Sequence, residues 1–309
     1  MKWDVFERIE YLFPYVTYFK MAGWGEPYTN TRFPEMLSRI RRHNKSAKIG
    51  FNTNALLLNE ECIINLIENG VDHITVSIDS PYKENYELLR KRGSYERLIN
   101  NLKLLRELKS RYSSVCPIID FEFVVMNQNI LDMPEFVKFA ATFQARSIIF
   151  TNVGARPLSA GYLRFFDYRR FLEVYERTNK YAGDLGIGLT GNAVDSFELA
   201  LNSQNNDTGE TSTDREIGNV NITGGTSKGT PFSDNKLHDI SCLEPFQTCY
   251  VCFDGSILPC CVVGGKRYIG NVLNEEFEDI WNNDAYVNLR KGFITGRYDE
   301  GIYGGRCKT

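Results

Sequence analysis

Five of the eight cysteines, Cys242, Cys249, Cys252, Cys260 and Cys261, crowd into one short stretch, and thiols at that density are what zinc or iron–sulfur ligation requires. Asp254-Gly255 divides TCYVCF from SILPCC. An Asp-Gly pair between two strand-like runs predicts a two-residue hairpin, because primed turns need positive φ at both central positions. Folding there returns Cys260 alongside the first run, and Cys242 enters just upstream, so thiols remote in sequence converge beside one turn. Two other uses of cysteine stay open. A free thiol packs as a small hydrophobe, which is the reading for Cys62 and Cys116, each alone in an apolar run. Disulfides are rare in reducing compartments, and MKWDVFERIEYLFPY lacks the apolar core of a secretory signal. Cys249 and Cys252 stand three apart, so a regular strand sends them to opposite faces and at most one is a ligand; adjacent Cys260 and Cys261 also point apart.

Two further stretches could do chemistry. Gly23-Trp24-Gly25-Glu26-Pro27 follows the apolar run VTYFKMA; glycines at a strand end let the backbone approach a ligand, and Glu26 could receive an ammonium group. An ordinary turn leading into a helix is the alternative. In HITVSIDS, Thr75, Ser77 and Asp79 share one face while Val76 and Ile78 share the other. Buried parallel strands are usually apolar on both faces, so a polar row points into a cavity whose C-terminal rim is where barrel enzymes place chemistry. Capping of the turn before Pro81 is the alternative.

Those residues need a frame. Candidate strands at Tyr15 to Met21, Lys48 to Thr53, His73 to Asp79, Ile118 to Met126 and Ser147 to Asn152 alternate with amphipathic segments, one carrying Leu98, Leu102, Leu105 and Leu108 at helical spacing. This predicts an α/β fold, a parallel sheet closed into a partial βα barrel, followed by a small hairpin-and-helix domain. The fourteen residues before Tyr15 read as one helix. Net charge is only −3 and no long basic run occurs, which argues against nucleic acid and anionic membrane as partners; no apolar stretch approaches about 18 residues. The segment Asn202 to His238 is rich in Asn, Gly, Ser and Thr and reads as a flexible insertion. The expected division is 1–200 barrel, 201–240 insertion and 241–309 cysteine-rich domain, in a cytoplasmic protein.

Cys242, twelve residues, Gly255, four residues, Cys260, then Ile269-Gly270-Asn271-Val272 and Ile280-Trp281-Asn282, resembles the SPASM or Twitch extension of radical S-adenosylmethionine (radical SAM) enzymes. The resemblance implies an auxiliary 4Fe-4S cluster on Cys242 and Cys260 with a later C-x-x-C pair that Cys307 would open. By the same likeness GWGEP (Gly23, Trp24, Gly25, Glu26, Pro27) is similar to the motif that binds the methionyl amine of S-adenosylmethionine. Asn52, Thr53 and Asn54 fall at a strand end near the cofactor, and Ser77 and Asp79 match the strand contacting its ribose or carboxylate. Arg90 and Asn127 are further cofactor-binding candidates. The family's C-x-x-x-C-x-x-C has no counterpart, since no cysteine precedes Cys62. The expectation is therefore a longer parent chain that supplies the radical-generating 4Fe-4S cluster, the chain as given being inactive in radical chemistry. The implied parent activity is that of an oxidoreductase abstracting hydrogen from a peptide or a small polyol or aminocyclitol, with an electron donor such as flavodoxin or ferredoxin. A non-catalytic iron–sulfur-binding or scaffold protein is the rival.

Overall fold

Apolar runs of five to eight residues separated by amphipathic helices have one compact solution, strands side by side with helices covering one face. The computed structural model describes residues 1–21, 23, 25–152, 168–194, 242–260 and 268–295. Helix α1 (Trp3–Arg8) and a 3₁₀ turn, Glu10–Tyr15, come first. Six strands then lie in chain order with every neighbouring pair parallel: β1 (Tyr18–Lys20), β2 (Lys48–Thr53), β3 (His73–Ser77), β4 (Ile118–Val125), β5 (Ser147–Asn152) and β6 (Gly188–Thr190). Helices α2 (Phe33–His43), α3 (Glu60–Glu68), α4 (Lys83–Leu89), α5 (Tyr95–Arg111), α6 (Met133–Thr142) and α7 (Tyr168–Leu185) occupy the crossovers. The opening stretch is not one helix, because Pro14 and its neighbours tighten into the 3₁₀ turn and delay β1 to Tyr18. β6 is only three residues long, too short to carry a periodic signal.

Strand register sorts the side chains. Asn52, Thr75, Asp120 and Ser147 stand opposite one another across four strands, and Ser77 stands beside Glu122. The alternate positions, Phe51, Val76, Phe121, Phe123, Ile148 and Phe150, are fully or almost fully buried. The predicted stripe Leu98, Leu102, Leu105 and Leu108 is also buried. One face of the sheet is thus an apolar core and the other a polar surface, which a parallel sheet rarely tolerates unless it lines a site.

Contacts divide the chain into two units, Val16–Glu216 and a second formed by Met1–Tyr15 with Ile217–Thr309. The first fifteen residues, placed by the sequence at the head of the barrel, group with the C-terminal part for a physical reason. Val5 is fully buried in a core with Ile257, Val272, Ile280, Tyr286, Leu289 and Phe293. The Lys2 amide donates to the Phe253 carbonyl at 2.9 Å, and Arg8 Nε to the Val272 carbonyl at 3.0 Å. In this unit β7 (Tyr250–Val251), β8 (Ser256–Leu258) and β9 (Gly270–Asn271) form an antiparallel sheet. The hairpin is present, but its turn is not the two-residue one expected. Cys252 N donates to the Ser256 carbonyl and Gly255 N to the Cys252 carbonyl, leaving Phe253, Asp254 and Gly255 as a three-residue connection. Gly255 alone has positive φ, +89°, which is the type I turn plus glycine bulge. A Cβ at Gly255 would lie 2.7 Å from Asn271 Oδ1. Asn271 Nδ2 in turn donates to the Asp254 carbonyl, tying the distal IGNV stretch to the hairpin.

Candidate functional site

The C-terminal ends of β1, β2 and β3 bring most of the sequence-selected residues together. Gly25 adopts φ +129°, open only to glycine, and a Cβ there would meet nothing within 4 Å. Glu26 follows and leads into a 3₁₀ turn opened by Pro27. Its carboxylate reaches β2: Thr53 Oγ1 donates to Oε1 at 2.6 Å and the Asn54 amide to Oε2 at 2.7 Å. Burial pushes the Glu26 carboxyl above its ordinary range, against the lowering pull of those donors. Ala55, just beyond, is held at φ +59°, with its amide on Thr53 Oγ1 and its carbonyl on Asn101 Nδ2. Strain of that kind in a non-glycine residue persists only where the surroundings fix it, as at binding sites.

Asn52 and Ser77 lie on the polar face. Both donate to Glu122 Oε2, each at 3.3 Å. Glu122 was not among the residues selected from the sequence. The signal for it was there: in DFEF, Asp120 and Glu122 alternate with Phe121 and Phe123 as Thr75 and Ser77 alternate with Val76. Asp79 is placed differently from a ligand-facing residue. It is buried, Oδ1 accepts the Val124 amide at 2.9 Å, and Oδ2 lies 2.8 Å from Arg90 Nε. That ion pair is close but the Arg90 N–H is not aimed along it as a hydrogen bond. Asp79 therefore joins the ends of β3 and β4 and pins the close of α4. Asn127 is exposed in the turn after β4. Asn129, two residues on, is fully buried and donates to the Asp79 and Val124 carbonyls. Gly23 is exposed, and Trp24 lies outside the described residues.

A depression of about 1140 Å³ at the far ends of the strands is lined by Lys103, Arg106, Lys109 and Arg111 among others. Arg106 and Lys109 donate to the Thr142 and Pro117 carbonyls and Arg111 pairs with Glu60 and Glu107, so three of these four cations already hold partners.

In the C-terminal unit Cys242 and Cys249 pack against the core, and Cys242, Cys249, Cys252 and Cys260 are half-buried. Burial pushes the Cys249 thiol up to about 11. Cys252 is raised by burial and then by Asp254. Cys62 and Cys116, read as buried thiols, are half-buried: Cys62 sits in the exposed first turn of α3 and Cys116 in the loop before β4. Among the described residues no three His, Cys, Asp or Glu side chains gather as a metal site. Cys261 and Cys307 lie outside them. The donor type fits an iron–sulfur group; the donor number does not reach a full set.

Comparison with known proteins identifies the domains. Residues 4–140 match the model of the radical SAM superfamily, and residues 242–308 match SPASM, an iron–sulfur cluster-binding domain. The chain carries a radical SAM domain and a SPASM domain. A curated relative, the tungsten-containing aldehyde ferredoxin oxidoreductase cofactor-modifying protein of Pyrococcus furiosus, is 23% identical over 96% of this chain and 76% of its own. Among solved structures, SuiB of Streptococcus suis bound to S-adenosylmethionine superposes with a TM-score of 0.65 at 15% identity, over 93% of this chain. The chain spans 60% of the length of SuiB. The anSMEcpe structure with bound AdoMet and a peptide superposes with a TM-score of 0.59 at 17% identity, over the whole of this chain and 80% of that one. These likenesses establish the partial-barrel fold. Radical SAM and SPASM domains imply S-adenosylmethionine and iron–sulfur clusters. No helix of the described residues is long and apolar enough to cross a membrane.

Proposed function

We propose that this radical SAM protein holds S-adenosylmethionine at the ends of β1, β2 and β3, and that it serves an oxidoreductase acting on a peptide side chain or a small polyol or aminocyclitol. The observation that carries the reading is Glu26, whose two oxygens are aimed by Thr53 and Asn54 beside a glycine backbone at φ +129°. A carboxylate held by the Thr53 hydroxyl and the Asn54 and Tyr28 amides still keeps a lone pair for an ammonium group. Gly25 lets the chain approach the methionyl end, and Asn52 and Ser77 offer polar contacts farther along the face. Arg90, anchored by Asp79, keeps the rest of its guanidinium for a carboxylate; Asn127 belongs to the rim. When bound with its cluster, S-adenosylmethionine supplies hydrogen abstraction from an unactivated carbon.

The SPASM domain would hold an auxiliary 4Fe-4S cluster through Cys242, Cys260 and Cys307 with a further donor. The radical-generating cluster needs three thiolates that these 309 residues do not contain in C-x-x-x-C-x-x-C spacing. We place the protein in the reducing cytoplasm with flavodoxin or ferredoxin as electron donor, a barrel to about residue 200, an insertion over 201–240 and the cluster domain beyond. The missing cysteine motif favours one other reading, a protein that binds cofactor and cluster without catalysis.

Calorimetry with S-adenosylmethionine tests the reading. Binding is expected, and Glu26→Gln should weaken it about tenfold to a hundredfold, the worth of a hydrogen bond to a charged group. Because the ionised carboxylate is the binding form and its pKa is raised, wild-type affinity should fall on acidification beginning above the ordinary Glu value of about 4.3, and the Gln variant should lose that dependence. Equal binding by both proteins at all pH values would remove Glu26 from the site.

A further inference from the structure

The aspartates held at the strands of the sheet have their charge answered by a cation. Asp72 at the start of β3 faces Lys48 and Arg41. Asp79 faces Arg90, and Asp120 faces Arg146, with Ser147 Oγ donating to it at 2.7 Å. Glu26 accepts two short hydrogen bonds, one on each oxygen. Among the described residues Glu122 has neither a cation nor a donor on each oxygen. It stands near the middle of the polar face, half-buried, two residues beyond Asp120 on the same side of β4. Its Oε2 accepts from Asn52 and Ser77, both neutral and both at 3.3 Å. Its Oε1 has no donor, and the carboxylate has no cation, among the described residues. A half-buried carboxylate with one oxygen braced from two strands and the other open and reachable by solvent is placed to receive a positively charged group that comes and goes.

We infer that Glu122 is a specificity-determining residue that anchors a cationic substrate group, a primary ammonium or a guanidinium, on the polar face of the sheet. This deepens the preceding reading and rests on it only for what shares the face: Glu26 takes the cofactor's amine, and Glu122 takes the substrate's. Asn52 and Ser77 are then positioning residues for Glu122 as well as neighbours of the cofactor. A bidentate guanidinium or a two-point ammonium contact gives both strength and direction, since a charge-assisted bond in a partly dry setting is about twice as strong as a neutral one. Two sources present that chemistry, a Lys or Arg side chain of a peptide and the amine of an aminocyclitol.

The test uses the full chain and two probe series in calorimetry: end-blocked Gly-Lys-Gly and Gly-Arg-Gly against Gly-Leu-Gly, and an aminocyclitol against the parent cyclitol lacking the amine. Wild type should bind the cationic member of at least one series about tenfold or more tighter than its neutral counterpart. Glu122→Gln, which keeps the side chain's size and its bond to Ser77, should erase that preference while S-adenosylmethionine binding stays as in wild type, so cofactor binding reports that the variant is folded. The series that shows the preference identifies the source. Wild type that binds cationic and neutral probes equally overturns the inference, as does a preference that survives Glu122→Gln. Loss of S-adenosylmethionine affinity in Glu122→Gln with probe preference unchanged also overturns it and moves Glu122 into the cofactor site. Wild type that binds no S-adenosylmethionine yet keeps a Glu122-dependent cation preference overturns the cofactor reading alone.

Discussion

Asp79 and Glu26 are both carboxylates at strand ends, and the difference between them is what their oxygens already hold. Asp79 is nine-tenths or more buried, with a backbone amide on one oxygen and Arg90 beside the other, so its work is to fasten β3, β4 and α4. Removing one partner of a buried ion pair typically costs about 3–5 kcal/mol. Arg90 keeps a quarter of its side chain exposed, so Asp79→Asn should sit at the low end, about 3 kcal/mol, read as a lower urea midpoint with the slope unchanged. Glu26→Gln should leave that midpoint nearly in place and act on cofactor affinity. A destabilisation of Asp79→Asn no larger than that of Glu26→Gln would assign Asp79 to ligand binding instead.

At the scale of elements, the cysteine-rich hairpin shows how a turn decides which thiols can meet. With three residues in the connection, Cys252 stands opposite Ser256 and β8 carries the chain on to Cys260. Cys249, half-buried against the core, has its thiol pushed up to about 11 by that burial. After anaerobic reconstitution with iron and sulfide, Cys242→Ala and Cys260→Ala should each lose most of the iron–sulfur absorption, whereas Cys62→Ala should keep it. Equal loss in the Cys62 variant would sink the assignment of the cluster to this hairpin.

For the whole molecule the consequential feature is that a C-terminal core is completed by the first turn of the chain. Val5 contributes a fully buried side chain to it, and Tyr11 OH donates to Glu278 Oε2 at 2.9 Å. Val5→Ala should cost about 2 kcal/mol, transfer and cavity together. Hydrogen exchange would locate the effect: the amides of Ile257, Ile269 and Val272 should lose protection while those of β3 and β4 keep theirs. Uniform loss through both sets would mean that the two units unfold as one.

The sequence by itself determined the parallel sheet, the leucine stripe of α5, the hairpin at Asp254-Gly255 and the residues around Glu26, because each depends on local periodicity or on a turn residue with few conformational options. The family resemblance was also legible there, being a matter of spacing. What tertiary structure alone decided was who faces whom. Three positions selected as polar strand-end residues, Asn52, Ser77 and Asp79, share a chemistry in the sequence, yet strand register turns the first two toward Glu122 and packing from α4 claims the third for Arg90. The turn length changed because a single glycine at positive φ satisfies the hairpin once Asn271 holds it from the far strand. Residues 3–8 joined the C-terminal core because Val5 could bury itself there, a contact across some 250 positions of chain. Such pairings follow from the global burial of apolar surface, which is non-directional and leaves no local mark in the sequence.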